Sequence, residues 1–189
     1  RLVCPLAGRH QVKNAALALG AVELIGEDGF CVEGRAVSEG LKRTRWEGRL
    51  EILQRSPMLL VDGAHNPAGV AALCRALKND FPRRRLLLLF GVLDDKDYRT
   101  MAKRLFPLAD RVFLTRPHSE RALPLDILLP AARRFHSDID VVENPGDALR
   151  RAFSLAGKED LVCTAGSLYL VGEIKRCHRM MTGEGGVRT

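Results

Sequence analysis

Met58-Leu59-Leu60-Val61-Asp62-Gly63-Ala64-His65-Asn66-Pro67 is the stretch on which the reading of this chain turns. Four apolar residues make a buried strand, and a short polar turn follows. Asn66 is a strong helix N-cap and Pro67 suits the first helical position. The residues after it carry helical spacing as far as Leu77. The order strand, turn, helix sets a carboxylate (Asp62) and an imidazole (His65) beside the positive end of a helix dipole. In open α/β sheets the crevice beyond the carboxyl ends of the strands is where ligands bind. The same residues equally describe a capped turn with a surface histidine.

Working outward, the pattern alternates. Residues 50–54 and 58–61 read as strands joined by a turn at Ser56-Pro57. A helix over 67–78 leads to the apolar run 86–90, whose lack of polar alternation predicts a strand covered on both faces. Then come a helix over 98–105, a strand over 111–115, a helix over 125–135 and a strand over 139–143. A helix over 147–156, a strand over 161–164 and a helix over 167–180 complete the series. This alternation predicts an α/β fold: a Rossmann-like, mostly parallel six-stranded sheet with helices on both faces. Residues 1–45 differ. They hold helical patterns over 14–25 and 35–42, separated by Gly26-Glu27-Asp28-Gly29, and no strand. Two helices make a poor core, so this segment is expected to lean on the domain at 46–181. Residues 182–189 contain three glycines and read as a disordered tail.

Composition narrows the function classes. A chain of 189 residues accommodates one full core and a short appendage. Its 46% hydrophobic content is ordinary for a globular domain. No apolar run approaches the ~20 residues needed to span a bilayer, and no secretory pattern opens the sequence, so no membrane partner is expected. Arg1 stands first, as in a piece of a longer protein. The five cysteines (Cys4, Cys31, Cys74, Cys163, Cys177) are odd in number and lack C-x-x-C spacing. That disfavours a disulfide framework or a metal site, and reduced thiols suit a cytoplasmic location. The formal net charge is +7. Its Lys and Arg residues are scattered, and the few aromatics do not interleave with them as a stacking platform requires. Nucleic acid therefore ranks below a solvated basic surface and below attraction of ATP or small polyanions. No phosphate-cradling G-x-x-x-x-G-K-[ST] occurs, and Gly157-Lys158-Glu159 lacks both the leading glycine and the hydroxyl residue. A nucleotide bound here has to be shared with another domain.

Five segments, in order, carry a resemblance: Gly8-Arg9-His10-Gln11 with Asn14-Ala15-Ala16-Leu17; Trp46-Glu47-Gly48-Arg49-Leu50-Glu51; the hexapeptide Asp62 to Pro67; Phe90-Gly91-Val92-Leu93 with Asp95-Lys96-Asp97; and Gly166-Ser167-Leu168-Tyr169-Leu170-Val171-Gly172. Together they resemble the C-terminal part of folylpolyglutamate synthase and dihydrofolate synthase, in the Mur ligase superfamily. Gly63 favours the folate branch, since cell-wall members usually carry Tyr or a larger residue there. Glu47 departs from the pattern, where the family often has Pro.

The resemblance implies an ATP-dependent amide ligase that joins L-glutamate to folate or dihydropteroate through an acyl phosphate. It assigns 1–45 to the end of a central ATPase domain and 46–181 to the Mur ligase C-terminal domain. It places ATP between the two, with Mg²⁺ ligands and the phosphate loop in the absent N-terminal part, so this piece alone is expected to be inactive and monomeric. Asn14 would contact the nucleotide, Arg49 the phosphates and Asp62 the ribose hydroxyls. His65 and Ser167 would help hold the incoming glutamate. No catalytic residue and no metal ligand is assigned to this chain. Without the resemblance, Asn14 reads as a helix cap, Arg49 as a surface charge, Asp62 as a turn former and Ser167 as an N-cap. Two other classes then stay open: a non-catalytic nucleotide-binding or regulatory module, and a basic nucleic-acid-binding domain.

Overall fold

A computed structural model describes residues 2–183. Six strands form one sheet in the order β1-β2-β6-β3-β4-β5. Their ranges are β1 Glu51–Arg55, β2 Met58–Val61, β3 Leu86–Phe90, β4 Arg111–Leu114, β5 Ile139–Val141 and β6 Leu161–Ala165. Every pairing is parallel except β1 with β2, a hairpin with a register irregularity between Ile52 and Gln54. The mostly parallel Rossmann-like sheet expected from the alternation is what forms.

The two faces follow from the period of two along each strand. Leu86, Leu88 and Phe90 point to one side, with Leu60, Val112 and Cys163. There they meet Val70, Leu73 and Leu77 of α3 (Pro67–Asn79), Met101 and Leu105 of α4 (Tyr98–Leu105) and Leu128 of α5 (Leu125–Ala132). Leu87 and Leu89 point the other way, with Leu59, Val61, Phe113 and Val162. That face is covered by Ala148, Leu149 and Ala152 of α6 (Pro145–Leu155) and by Leu170, Val171 and Ile174 of α7 (Leu168–Thr182). All five residues of β3 are buried, as a central strand requires.

Several boundaries move, each for a local reason. α5 ends at Ala132 and not at 135, where the N–H groups of Phe135 and His136 both turn back to Ala132 O. α6 begins at Pro145, two residues before its expected start. Asn144 caps it, its side chain accepting from Gly146 N at 2.8 Å and Asp147 N at 3.1 Å. Asn144→Ala should therefore cost about 1 kcal/mol and lower the melting temperature by roughly 2–4 °C, as read by thermal unfolding of this chain. Thr182 closes α7 and Gly183 caps it in the left-handed conformation; the rest of the expected tail, 184–189, lies outside the described residues.

The N-terminal segment needs a correction. α1 runs over Arg9–Glu27 and α2 over Gly34–Arg43, but neither leans broadly on the sheet domain. Gln11 alone is buried on α1, and nothing on α2. Contact centres on the start of the segment, where Ala7 packs on the core, Arg9 pairs with Asp80 at 3.5 Å and the first turns of α1 face the turn 46–50. Val12, Leu17, Leu24 and Ile25 stay exposed.

Candidate functional site

The turn 46–50 and the turn after β2 fold against each other. Gly63 N donates to Gly48 O at 2.7 Å. The Asp62 carboxylate then ties both turns: Oδ2 accepts from Leu50 N at 2.9 Å and Oδ1 from Ala64 N at 2.8 Å. Leu50 is buried and has φ 46°, a left-handed conformation that a branched apolar residue holds only when its surroundings fix it. The hydrogen bond from its N–H to Asp62 is one such constraint. Burial pushes the Asp62 carboxyl above the usual range. The two backbone hydrogen bonds, with the charges of Arg49 and His10, oppose that shift without cancelling it.

Beside this junction lies a cleft of about 270 Å³, walled by the start of α1, the turn 46–50 and the first turns of α3. Asn14, Arg49 and Asp62 all line it, together with His10, Trp46 and Gly69. Three of the residues picked from sequence are thus brought to one place, at the carboxyl end of β2. Asn14 is oriented by Gln11, whose Oε1 accepts from its Nδ2 at 2.9 Å. Arg49 is half-buried, its guanidinium 5.7 Å from the centre of the Trp46 ring. No carboxylate lies within ion-pair distance of it among the described residues.

His65 and Ser167 do not line this cleft; they sit on two adjoining turns joined by Gly166 N donating to Ala64 O at 3.0 Å. His65 Nδ1 lies 2.8 Å from Gly63 O, and a carbonyl only accepts, so Nδ1 carries the proton. In the neutral ring Nε2 is then an acceptor. Ser167 is buried and caps α7, its Oγ accepting from Tyr169 N at 3.1 Å, which is the structural role that competed with a ligand role. Asp97 caps α4 through Thr100 N, and Lys96 pairs locally with Asp95 at 2.7 Å.

Other contributors escaped the reading of the sequence. His10 and Trp46 stand inside the quoted segments, so their proximity to Arg49 was within reach. Lys175 was not: its Nζ bonds Glu47 at 2.7 Å and Glu51 at 2.9 Å, across more than 120 residues. His118 meets Glu173 in the same way, through its ring Nδ1 and through its backbone N–H at 2.8 Å. Among the described residues no group of three His, Cys, Asp or Glu side chains could hold a metal ion, and no helix is long and apolar enough to cross a membrane.

Comparison with known proteins bears on the family and the fold. The glutamate ligase domain of Mur ligases matches residues 48–168. Dihydrofolate synthase/folylpolyglutamate synthase of Bacillus subtilis (strain 168) is 33% identical over 172 residues, covering 90% of this chain and 40% of that protein. The protein of that name from Mycobacterium tuberculosis is 40% identical over 155 residues, covering 80% of this chain and 32% of its own. The crystal structure of M. tuberculosis folylpolyglutamate synthase complexed with ADP and AMPPCP aligns with a TM-score of 0.85 at 34% identity, covering 96% of this chain and 42% of that one. The chain thus spans less than half the length of these relatives. By its matched span, its relatives and its sheet, the chain belongs to the Mur ligase family, as a glutamate ligase domain.

Proposed function

We propose that this chain is the C-terminal part of a folylpolyglutamate or dihydrofolate synthase and forms one wall of its ATP site. The observation that carries the reading is Arg49: a half-buried, unpaired guanidinium in a cleft that also presents Asn14 and Asp62. An unpaired cation with a planar fork suits a phosphate. An amide both donates and accepts, as a nucleotide base or sugar requires. Asp62 already gives one lone pair of each oxygen to Leu50 and Ala64, so ribose hydroxyls would take the remaining ones.

In this reading ATP converts a folate or dihydropteroate carboxylate into an acyl phosphate, and the amine of L-glutamate displaces the phosphate. The residues of this chain orient the phosphates from one side, and His65 Nε2 and the Ser167 turn face the incoming amino acid. Closure of this domain over the reactants keeps water from the activated carboxyl. Metal ligands and the phosphate loop belong to the rest of the protein. The segment 1–45 belongs with that ATPase part too, and the exposed Val12, Leu17 and Leu24 on α1 are what it would cover. The protein acts as a monomer in the cytoplasm.

The test is Arg49→Ala in the full-length enzyme. Losing a charge-assisted phosphate contact worth about 1.5–3 kcal/mol should lower kcat/KM for ATP by about tenfold or more. The melting temperature should barely change, because Arg49 pairs with no carboxylate. Steady-state kinetics with ATP varied provide the reading, and an unchanged ATP dependence would overturn the assignment.

A further inference from the structure

Arg49 is bracketed by two acids, Glu47 two residues before it and Glu51 two residues after it. These are the carboxylates nearest to it in sequence, and neither pairs with it. Both are held by one ammonium from α7: Lys175 Nζ bonds Glu47 Oε2 at 2.7 Å, Glu51 Oε1 at 2.9 Å and Glu51 Oε2 at 3.0 Å. The Lys175 side chain is only 14% exposed, so its stem packs and its position is set. Glu51 Oε2 in turn accepts from Gly48 N at 2.6 Å, which fastens the backbone immediately before Arg49. The pairing holds the Glu47 carboxyl below its usual range and the Lys175 ammonium above its own.

From this geometry we infer that Lys175 is a positioning residue for Arg49: it draws off the two flanking carboxylates and pins the turn, leaving the guanidinium open to an anionic ligand. The inference rests on the reading of Arg49 as a phosphate contact. Lys175 touches no ligand itself. Its effect runs through charge and through backbone placement. Removing it would release two carboxylates beside Arg49 and loosen the hydrogen bond at Gly48. Arginine in its place would keep both the charge and the donors.

The experiment is a double-mutant cycle in the full-length enzyme with ATP and L-glutamate varied separately. K175M should raise KM for ATP about three- to tenfold and leave KM for glutamate unchanged. K175R should restore the ATP value to within about twofold of the parent. In the R49A background K175M should add nothing further, because the group it serves is gone. Should K175M fail to fold, K175Q keeps much of the stem and removes the charge, and is read in the same cycle. Additive losses in the double variant, or a normal KM for ATP in K175M when R49A alone is impaired, would overturn the positioning role. A normal R49A would instead overturn the phosphate reading on which it rests.

Discussion

Gly166→Ala should be among the most damaging single substitutions in this chain. Gly166 directly follows β6 with φ +112°, a conformation that L side chains rarely adopt. A Cβ there would lie 2.5 Å from Gly91 O and 3.0 Å from the Phe90 ring. The first contact is with backbone at the end of the neighbouring β3, which cannot swing aside as a side chain can. Strain of about 1–3 kcal/mol from the dihedral adds to a similar cost of overpacking. Together these come to about 2–6 kcal/mol, so the melting temperature should fall by roughly 4–24 °C, at about 2–4 °C per kcal/mol for a domain of this size. Relief requires Gly166 to move, and Ser167 and the start of α7 would move with it. If the proposed role of this turn holds, glutamate use by the full-length enzyme should then suffer more than the loss of stability explains. Thermal unfolding decides the first part: a melting temperature within two degrees of the parent would mean that β6 and β3 can separate freely at their ends.

Asp62→Asn is expected to destabilise the fold, contrary to what a turn position suggests. Asn is a good turn residue, and on sequence grounds the exchange should keep the fold and weaken only ATP use. The structure gives the carboxylate two simultaneous backbone donors, Leu50 N and Ala64 N. An amide has one oxygen, so its NH₂ must face one of these N–H groups. One charge-assisted bond is lost and a buried donor is left unpaired, a cost of about 2–4 kcal/mol. Asp62→Ala, which loses both acceptors, should cost more. Titration gives a second signature. The folded-state pKa of Asp62 is raised, so the folded protein takes up this proton more readily than the unfolded chain. Its contribution therefore favours folding below the unfolded value, near 3.8, and is lost as pH rises through the folded value. The D62N variant should lack that slope, as denaturant unfolding across mildly acidic pH would register. A variant as stable as the parent, with the same pH slope, would show that the two turns do not depend on the carboxylate.

Local chemistry made much of this fold legible. Asn66 caps α3 by accepting from Gly69 N at 2.8 Å, as an Asn-Pro pair predicts. The unbroken apolar run Leu86–Phe90 became the buried strand that its composition demanded. The same Asn-Pro pair recurs at Asn144-Pro145 and starts α6 two residues before the helix read over 147–156. The candidate site was legible only in its membership. Asn14, Arg49 and Asp62 were named by resemblance, and periodicity alone gave each a structural role. What escaped was long-range: the grip of Asp62 on Leu50, and Lys175 reaching back to Glu47 and Glu51. Such contacts depend on the register of β1 against β2 and on the placement of α7, neither of which local propensity sets. The exposed face of α1 escaped for a related reason, because an apolar helix looks the same in sequence whether its partner is nearby or on another domain.

The two outer strands of the sheet decide how the domain keeps company. β5 has three residues, and its central Asp140 lies 3.7 Å from Arg111 and 3.9 Å from Arg151. At the opposite margin β1 is irregular between Ile52 and Gln54 and ends in charged Arg55. Short, bent or charged margins resist the addition of a foreign strand. Both margins of the sheet therefore carry features that disfavour pairing with a foreign strand. A sheet finished this way is guarded against edge-to-edge aggregation, the hazard that an exposed strand otherwise brings.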